Sequence, residues 1–394
     1  MKSHPSVFRD ESKLDINYIP SRLPHREKER RLLTEFFSFL LKIPDKMAQR
    51  VIVTGEIGTG KTALCQRFGS DITVEARRRG INLEYVHVNC REYRGKLFLI
   101  LQHALTVLKP TFPRRGYAAE EVLKILLQNL DEENAYMILA LDEFDSLIEA
   151  EGSDAVYNLT RLQEMRQNKP QRISLLGIMR NLDSTKRLDE STKSTLQRTV
   201  VRLERYGKTQ LADILNERVA LAFEPFTVPE DVVSLTADLA QDESGNARFG
   251  IELLWRAGKY SDAEDSDKVL PEHVRKAVSS IIPTLSKSEL DDLNFHEQLF
   301  LLGAAEVFLE TSEAYTTLSE IEKAYAVASE EFGEKPVSHT QLWKYLQTLS
   351  VLGILKTEVT GEGARGRSTL VYLPSVSAAE LVKALRELLR KEER

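Results

Sequence analysis

The 394-residue sequence predicts an α/β domain built on a parallel sheet, then a helical subdomain, then a C-terminal winged helix, and three observations carry this reading. Short apolar runs alternate with helical patterns through residues 50–206, as a parallel sheet covered on both faces requires. Strand-type runs then stop, and residues 209–264 carry helical apolar spacing alone. The last part reads as three helices and two strands around a glycine-rich turn, the winged variant of the helix-turn-helix.

Taken in order, residues 1–20 with Pro5 and Pro20 read as an extended lead-in, and REKERRLLTEFFSFLL (26–41) as a helix. RVIVTG (50–55) is a β-branched run stopped by glycine, a buried strand, and a helix follows over 61–79. LEYVHVNC (83–90) is a second strand, 96–108 and 118–130 are helices, and YMILALDEFD (136–145) is a third strand with acids at its end. ISLLGIMRN (173–181) and VVRLERY (200–206) complete the sheet. Helices are expected over 209–223, 231–241 and 248–264, with a break near 281–292. Helices over 296–309, 317–332 and 339–350 precede strands 353–359 and 368–374, which flank TGEGARGR (360–367). The expected domains are 1–206, 207–284 and 285–394.

Composition narrows the function classes. Hydrophobic residues make up 42% and charged residues 29%, which excludes a disordered or fibrous chain. The net charge of −6 argues against a basic coat for non-specific nucleic-acid binding but leaves room for a small basic site. The deficit falls in residues 285–394, which hold 12 basic and 18 acidic side chains. Cys65 and Cys90 are too few for a disulfide framework or a zinc site and fit a reducing cytosol. No apolar run reaches the ~18–20 residues of a membrane span, and the N-terminus lacks a secretory pattern, so a cytoplasmic protein without a membrane partner is expected.

Gly55-Glu56-Ile57-Gly58-Thr59-Gly60-Lys61-Thr62 matches the P-loop pattern G-x-x-x-x-G-K-[ST]. Glycines let backbone N–H groups turn inward around phosphate oxygens, and the following helix points its positive end at them. Lys61 reaches the β- and γ-phosphates, and Thr62 offers a hydroxyl to Mg²⁺. Downstream, ILALDE (138–143) is an apolar strand ending in two carboxylates, a Walker B segment. There Asp142 serves the metal and Glu143 polarises the attacking water. Asp145 reads as a helix cap. Trp255 and Trp343 fall in helical apolar patterns and are expected in the core. His87, His103, His273 and His296 show no metal spacing or nucleophile pairing, and RELLRKEER (386–394) reads as a solvated helix end.

YIPSRLPHRE (18–27), GEIGTGKT (55–62), LALDEFDSL (139–147), YNLTRL (157–162), SLLGIMRNL (174–182), RYGKTQLADILNERV (205–219) and GNARFGIELLWRAG (245–258) occur together in this order. This set, with a winged-helix tail, resembles the archaeal origin-recognition initiators, the ORC/CDC-type AAA+ ATPases. The resemblance covers most of residues 8–265 and implies an AAA+ P-loop NTPase with a helical lid. It implies ATP/ADP with Mg²⁺ as cofactors, Asn181 as a γ-phosphate sensor and Arg248 as a lid arginine reporting phosphate state. It places the nucleotide against Tyr18, Ile19, Pro20, Arg26, Ala63 and Tyr206 as well as the P-loop. It also implies origin marking and recruitment of the replicative helicase, with other initiator copies as partners and a nucleoid association. One stretch departs from the family. Ser191 stands where a trans-acting arginine is usual, with Lys193 and Arg198 as the nearby cations. Loss of such a finger costs several powers of ten in hydrolysis, so a slow ATPase acting as a lasting switch is expected.

In a winged helix the third helix enters the major groove and the wing reaches the adjacent backbone or minor groove. Here that helix offers Ser338, His339, Thr340, Gln341 and Lys344, and the wing offers Arg365 and Arg367 among glycines. Two rival readings stand beside the initiator: an assembly factor or helicase loader whose winged helix binds protein, and a P-loop transcription or signalling switch.

Overall fold

Five short runs pair into one all-parallel sheet whose inner strands are apolar on both faces and covered by helices on both, while the edge runs 83–89 and 200–202 keep less buried polar residues such as Glu84 and Arg202. The computed structural model describes residues 6–112, 117–161, 169–196, 199–281, 287–359, 369–374 and 376–392. The chain divides into two units, Ile19–Tyr206, and Met1–Tyr18 together with Gly207–Arg394.

The first unit runs α1 (Glu27–Lys42), β1 (Arg50–Thr54), α2 (Lys61–Arg78), β2 (Leu83–Asn89), α3 (Leu97–Leu108), α4 (Ala119–Glu132), β3 (Tyr136–Asp142), α5 (Phe144–Arg161, broken at Gly152), β4 (Ile173–Met179), α6 (Glu190–Leu196) and β5 (Val200–Arg202). The strand order is β2-β3-β4-β1-β5. Every residue of β3 and β4 is buried. Alternate side chains serve opposite layers: Met137, Leu139 and Leu141 join the core under α3 and α4, while Tyr136, Ile138 and Ala140 join the one under α1 and α2. With all strands parallel, Thr54, Asn89, Asp142 and Met179 finish on one edge, where α/β sheets place their ligands. α5 was not anticipated. It begins one residue beyond Glu143, and Asp145 lies inside its first turn rather than as the expected cap.

In the second unit, α7 (Lys208–Ala222), α8 (Glu230–Asp242), α9 (Ala247–Ala263) and α10 (Pro271–Ile281) pack together. The N-terminal segment is docked rather than simply extended. Phe8 bridges Phe223, Trp255 Nε1 donates to Glu11 at 2.6 Å, and Arg218 donates to the Lys13 and Tyr18 carbonyls at 2.8 and 3.1 Å. The winged helix follows: α11 (Lys287–Asp291), α12 (Phe295–Thr311), β6 (Thr316–Thr317), α13 (Leu318–Glu331), α14 (His339–Val351), β7 (Lys356–Val359), β8 (Thr369–Tyr372) and α15 (Ala378–Glu392). Its three strands pair antiparallel in the order β6-β8-β7. α10 was not anticipated, and α15 is more than the solvated helix end expected there: it turns Leu381, Leu385 and Leu389 inward and leaves Lys383, Glu387 and Arg390 exposed. Trp343 corrects another expectation. It is 40% exposed, because Leu342, Tyr345, Leu346 and Leu349 already fill the inner face of α14.

A polar clasp joins the base of the wing to the lid helices. Lys208, the first residue of α7, sits 2.7 Å from both Asp238 on α8 and Glu358 on β7. Asp238 also accepts the Tyr315 hydroxyl, and Lys356 pairs with Asp242 one helical turn further on. Nearby, Arg275 is fully buried and donates to the Glu313 and Ala314 carbonyls.

Candidate functional site

The loop from Thr54 to Lys61 is shaped by two glycines with no substitute. Gly60 has φ +84°, and a Cβ there would stand 3.0 Å from the Tyr206 hydroxyl. A Cβ on Gly55 would lie 2.8 Å from both the Leu203 carbonyl and Thr59 Oγ1. Thr59 Oγ1 closes the turn by donating to the Glu56 carbonyl at 2.8 Å, and the Gly55 amide donates to the Arg180 carbonyl at 3.1 Å. The first-turn amides of α2 have no intrahelical acceptor, and with the helix's positive end they form an anion site. Lys61 Nζ lies over the same loop and donates to the Gly55 and Glu56 carbonyls at 2.6 and 2.8 Å.

Asp142 ends β3, opposite Asn89 of β2. Its Oδ2 accepts the Thr62 hydroxyl at 2.7 Å, and its Oδ1 accepts the Glu143 amide at 2.9 Å. Burial raises the carboxyl pKa, but hydrogen bonds from His87 and Thr62 and the His87 charge outweigh it and leave the group below its ordinary value. Glu143 is held at φ +49°, a left-handed conformation unusual for a glutamate. Strain of that kind gathers at functional sites. Two oxygens, a nearby ammonium and a helix N-terminus fit a hard cation that arrives with phosphates: Mg²⁺ needs more oxygens than Thr62 and Asp142 supply, and the phosphates bring them.

Arg26, Tyr206 and Glu56 are expected beside the nucleotide; that they brace the loop itself, with Arg180 and Arg205, was not foreseen. Arg26 is 4% exposed and turned inward. Its Nε donates to the Thr59 carbonyl at 3.1 Å and its Nη2 to the Glu204 carbonyl at 2.7 Å. Its guanidinium lies 3.9 Å from the Tyr206 ring centroid. Glu56 accepts from Arg180 at 2.8 Å, and Arg205 lies 3.9 Å away. His87, which showed no pairing in the sequence, places Nε2 3.2 Å from Asp142 Oδ2.

The other expected residues fall as follows. Gly58 has φ +78°, Ile57 is 56% exposed, Ala63 and Ile19 are half-buried, and Pro20 is buried. Tyr18 belongs to the other unit. Asn181, two residues beyond β4, is exposed, and its Oδ1 accepts the Asp183 amide at 2.9 Å, a turn-forming contact. Ser191 is exposed on α6, and Lys193 lies 3.8 Å from Glu190. Arg248 is exposed on the first turn of α9. On the winged helix, Ser338 stands just before α14 without a side-chain capping bond and is exposed, as are His339, Thr340 and Lys344, while Gln341 is half-buried. His339 Nδ1 lies 2.9 Å from Glu322. Arg198, Arg365 and Arg367 lie outside the described residues. Among the described residues, no helix is long and apolar enough to cross a membrane.

Residues 45–185 match the AAA domain family, residues 212–279 the Cdc6 AAA+ ATPase-type lid domain, and residues 288–384 the CDC6 C-terminal winged helix domain. The ORC1-type DNA replication protein 2 of Sulfolobus acidocaldarius is 35% identical over 393 residues, covering 98% of this chain and 94% of that protein. The crystal structure of Cdc6p from Pyrobaculum aerophilum superposes with a TM-score of 0.85 at 29% identity, covering 99% of this chain and 100% of that one. The Aeropyrum pernix ORC1 protein, solved in complex with DNA, gives 0.64 at 28% identity and covers 98% of each chain. The P-loop and acidic strand end of one unit, and the lid and winged helix of the other, thus follow one established plan along nearly the whole chain, and the chain belongs to the ORC1/Cdc6 family of AAA+ replication initiators.

Proposed function

We propose that this protein binds ATP and Mg²⁺, hydrolyses ATP slowly, and uses the nucleotide state to control its grip on origin duplex DNA, where it helps recruit the replicative helicase. The observation that carries the nucleotide part is the Thr62–Asp142 contact of 2.7 Å beside Lys61 and the N-terminus of α2. Bound Mg²⁺ would supply charge neutralisation for the phosphates. The chain's own groups do the rest. Thr62 and Asp142 would hold the ion, the P-loop amides and Lys61 would hold the phosphates, and Glu143 would orient water. Asn181 and Arg248 take the sensor roles by family analogy. Ser191 in place of the usual arginine accounts for slow turnover, since transition-state charge loses a cation.

For DNA, α14 presents Ser338, His339, Thr340 and Lys344 outward, as a recognition helix does. Two features favour a second reading, protein docking by the winged helix: the exposed Trp343 on that helix, and the acidic balance of residues 285–394. A salt series of duplex affinity on origin and scrambled DNA separates the two. Wild type should prefer origin sequence, and Arg365→Ala with Arg367→Ala should bind more weakly with a shallower salt slope. Equal, weak binding by both proteins to both sequences sides with protein docking. For the nucleotide part, Lys61→Ala should abolish nucleotide binding, and Glu143→Gln should bind ATP without hydrolysing it. Full hydrolysis by Glu143→Gln removes its assigned role.

A further inference from the structure

We infer that His87 is a positioning residue of the nucleotide site: its imidazole fixes the Asp142 carboxylate toward Thr62 and thereby sets the affinity for Mg²⁺. The inference deepens the reading of Thr62 and Asp142 as the metal-holding pair and rests on it.

His87 lies in the middle of β2, in register with Ala140 of β3, two residues before the Asn89–Asp142 pair. On the pleat it shares a face with Tyr85, whose hydroxyl donates to the Cys65 carbonyl of α2. That face therefore looks toward the helix that carries Thr62. His87 Nε2 reaches Asp142 Oδ2 at 3.2 Å, and the side chains are 18% and 9% exposed. Among the described residues Nδ1 is buried without a hydrogen-bond partner, so the ring directs its hydrogen bonding at Asp142. With a proton on Nε2 the ring makes that bond as a donor.

Both carboxylate oxygens are thereby placed. The Glu143 amide holds Oδ1, while Thr62 and His87 meet at Oδ2. Without His87, the buried carboxylate is free to rotate toward the space the ring leaves. Groups that orient a ligating carboxylate are worth about 10–100-fold in metal affinity. The sequence pattern hides this role, because it depends on which strand lies next to β3.

The test is binding of a fluorescent ADP analogue to wild type, His87→Ala, His87→Leu and His87→Gln, across a Mg²⁺ series and in EDTA, with thermal melting of each variant. Wild type should bind more tightly as Mg²⁺ rises. The Mg²⁺ midpoint of His87→Ala should rise about 10-fold, with the EDTA affinity within about two-fold of wild type. His87→Leu, which keeps bulk without a donor, should match His87→Ala. His87→Gln, whose amide can donate, should recover most of the loss. An unchanged midpoint in the Ala and Leu variants overturns the inference alone, and so does a Gln variant no better than Leu. A wild type indifferent to Mg²⁺ removes the reading of Thr62 and Asp142, and the inference with it.

Discussion

Arg26→Ala should destabilise the nucleotide-binding unit by about 3–4 kcal/mol, in the range for removing one partner of a buried pair, since Glu29 stands 3.8 Å from the guanidinium and its side chain is 14% exposed. The magnitude follows from what the guanidinium does. It makes charge-assisted bonds to the Thr59 and Glu204 carbonyls at 3.1 and 2.7 Å, each worth about 1.5–3 kcal/mol. Stacking on Tyr206 at 3.9 Å adds up to about 2 kcal/mol when desolvated. The desolvation cost of a buried guanidinium offsets part of that sum. At about 2 kcal/mol per molar urea, the unfolding midpoint should fall by about 1.5–2 M. The assay has an internal control. Both tryptophans, Trp255 and Trp343, lie in the Gly207–Arg394 unit, so their fluorescence follows that unit while far-UV circular dichroism follows both. The dichroism transition should move furthest. Arg26→Lys should recover only part of the loss, since an ammonium cannot span two carbonyls as the planar fork does. A midpoint shift equivalent to less than about 1 kcal/mol refutes the reasoning, since that is the range of an exposed pair. Lost nucleotide affinity with unchanged stability would instead put Arg26 on the nucleotide itself.

Two further predictions concern the lid and wing. His273 is buried, its Nδ1 accepts the Leu270 amide at 3.0 Å, and burial lowers its pKa despite Glu264 and Glu272 nearby, with Lys276 adding to the shift. The unfolded chain therefore binds more protons, so stability should fall as pH drops below about 6.5. His273→Gln should flatten that dependence in tryptophan-monitored unfolding. Lys208→Met should cost about 1–2 kcal/mol, less than a fully buried pair because Lys208 is partly exposed. It leaves the Asp238 and Glu358 carboxylates facing each other, and Asp238 already sits above its ordinary pKa through burial, which its bonds to Lys208 and Tyr315 do not fully offset. The same fluorescence transition should shift, and an unchanged midpoint would show the clasp to be incidental.

Much of the fold was legible because its signals are local. The P-loop spacing, the apolar strand ending in Asp142-Glu143 and the switch from strand to helix periods are all read within a dozen residues. What was missed depends on neighbours the sequence does not announce. His87 gains its partner only because β2 lies beside β3. The resemblance sets Arg26 beside the nucleotide, but its bonds to the Thr59 and Glu204 carbonyls come from tertiary contacts that no local pattern shows. The N-terminal segment has no strong period, and its order comes from anchors such as Glu11 on Trp255. Trp343 could have been placed correctly. One position past Leu342 is a 100° step around the helix, off the face that Tyr345, Leu346 and Leu349 define.

The spacing of the clasp acts as an index mark. Lys356 and Glu358 are two apart on a strand, about 6.8 Å; Asp242, which meets Lys356 directly, and Asp238, which meets Glu358 through Lys208, are four apart on a helix, about 6 Å. The two lengths match, so the direct pair and the Lys208 bridge close in one alignment of ribbon against helix. Deleting a single residue between Gly353 and Lys356 would turn both side chains to the opposite face and open both pairs at once. Changes in length between the two strands, within residues 360–368, leave the mark untouched. Selection can therefore lengthen, shorten or recharge that stretch while the root of the ribbon keeps its alignment with the helix.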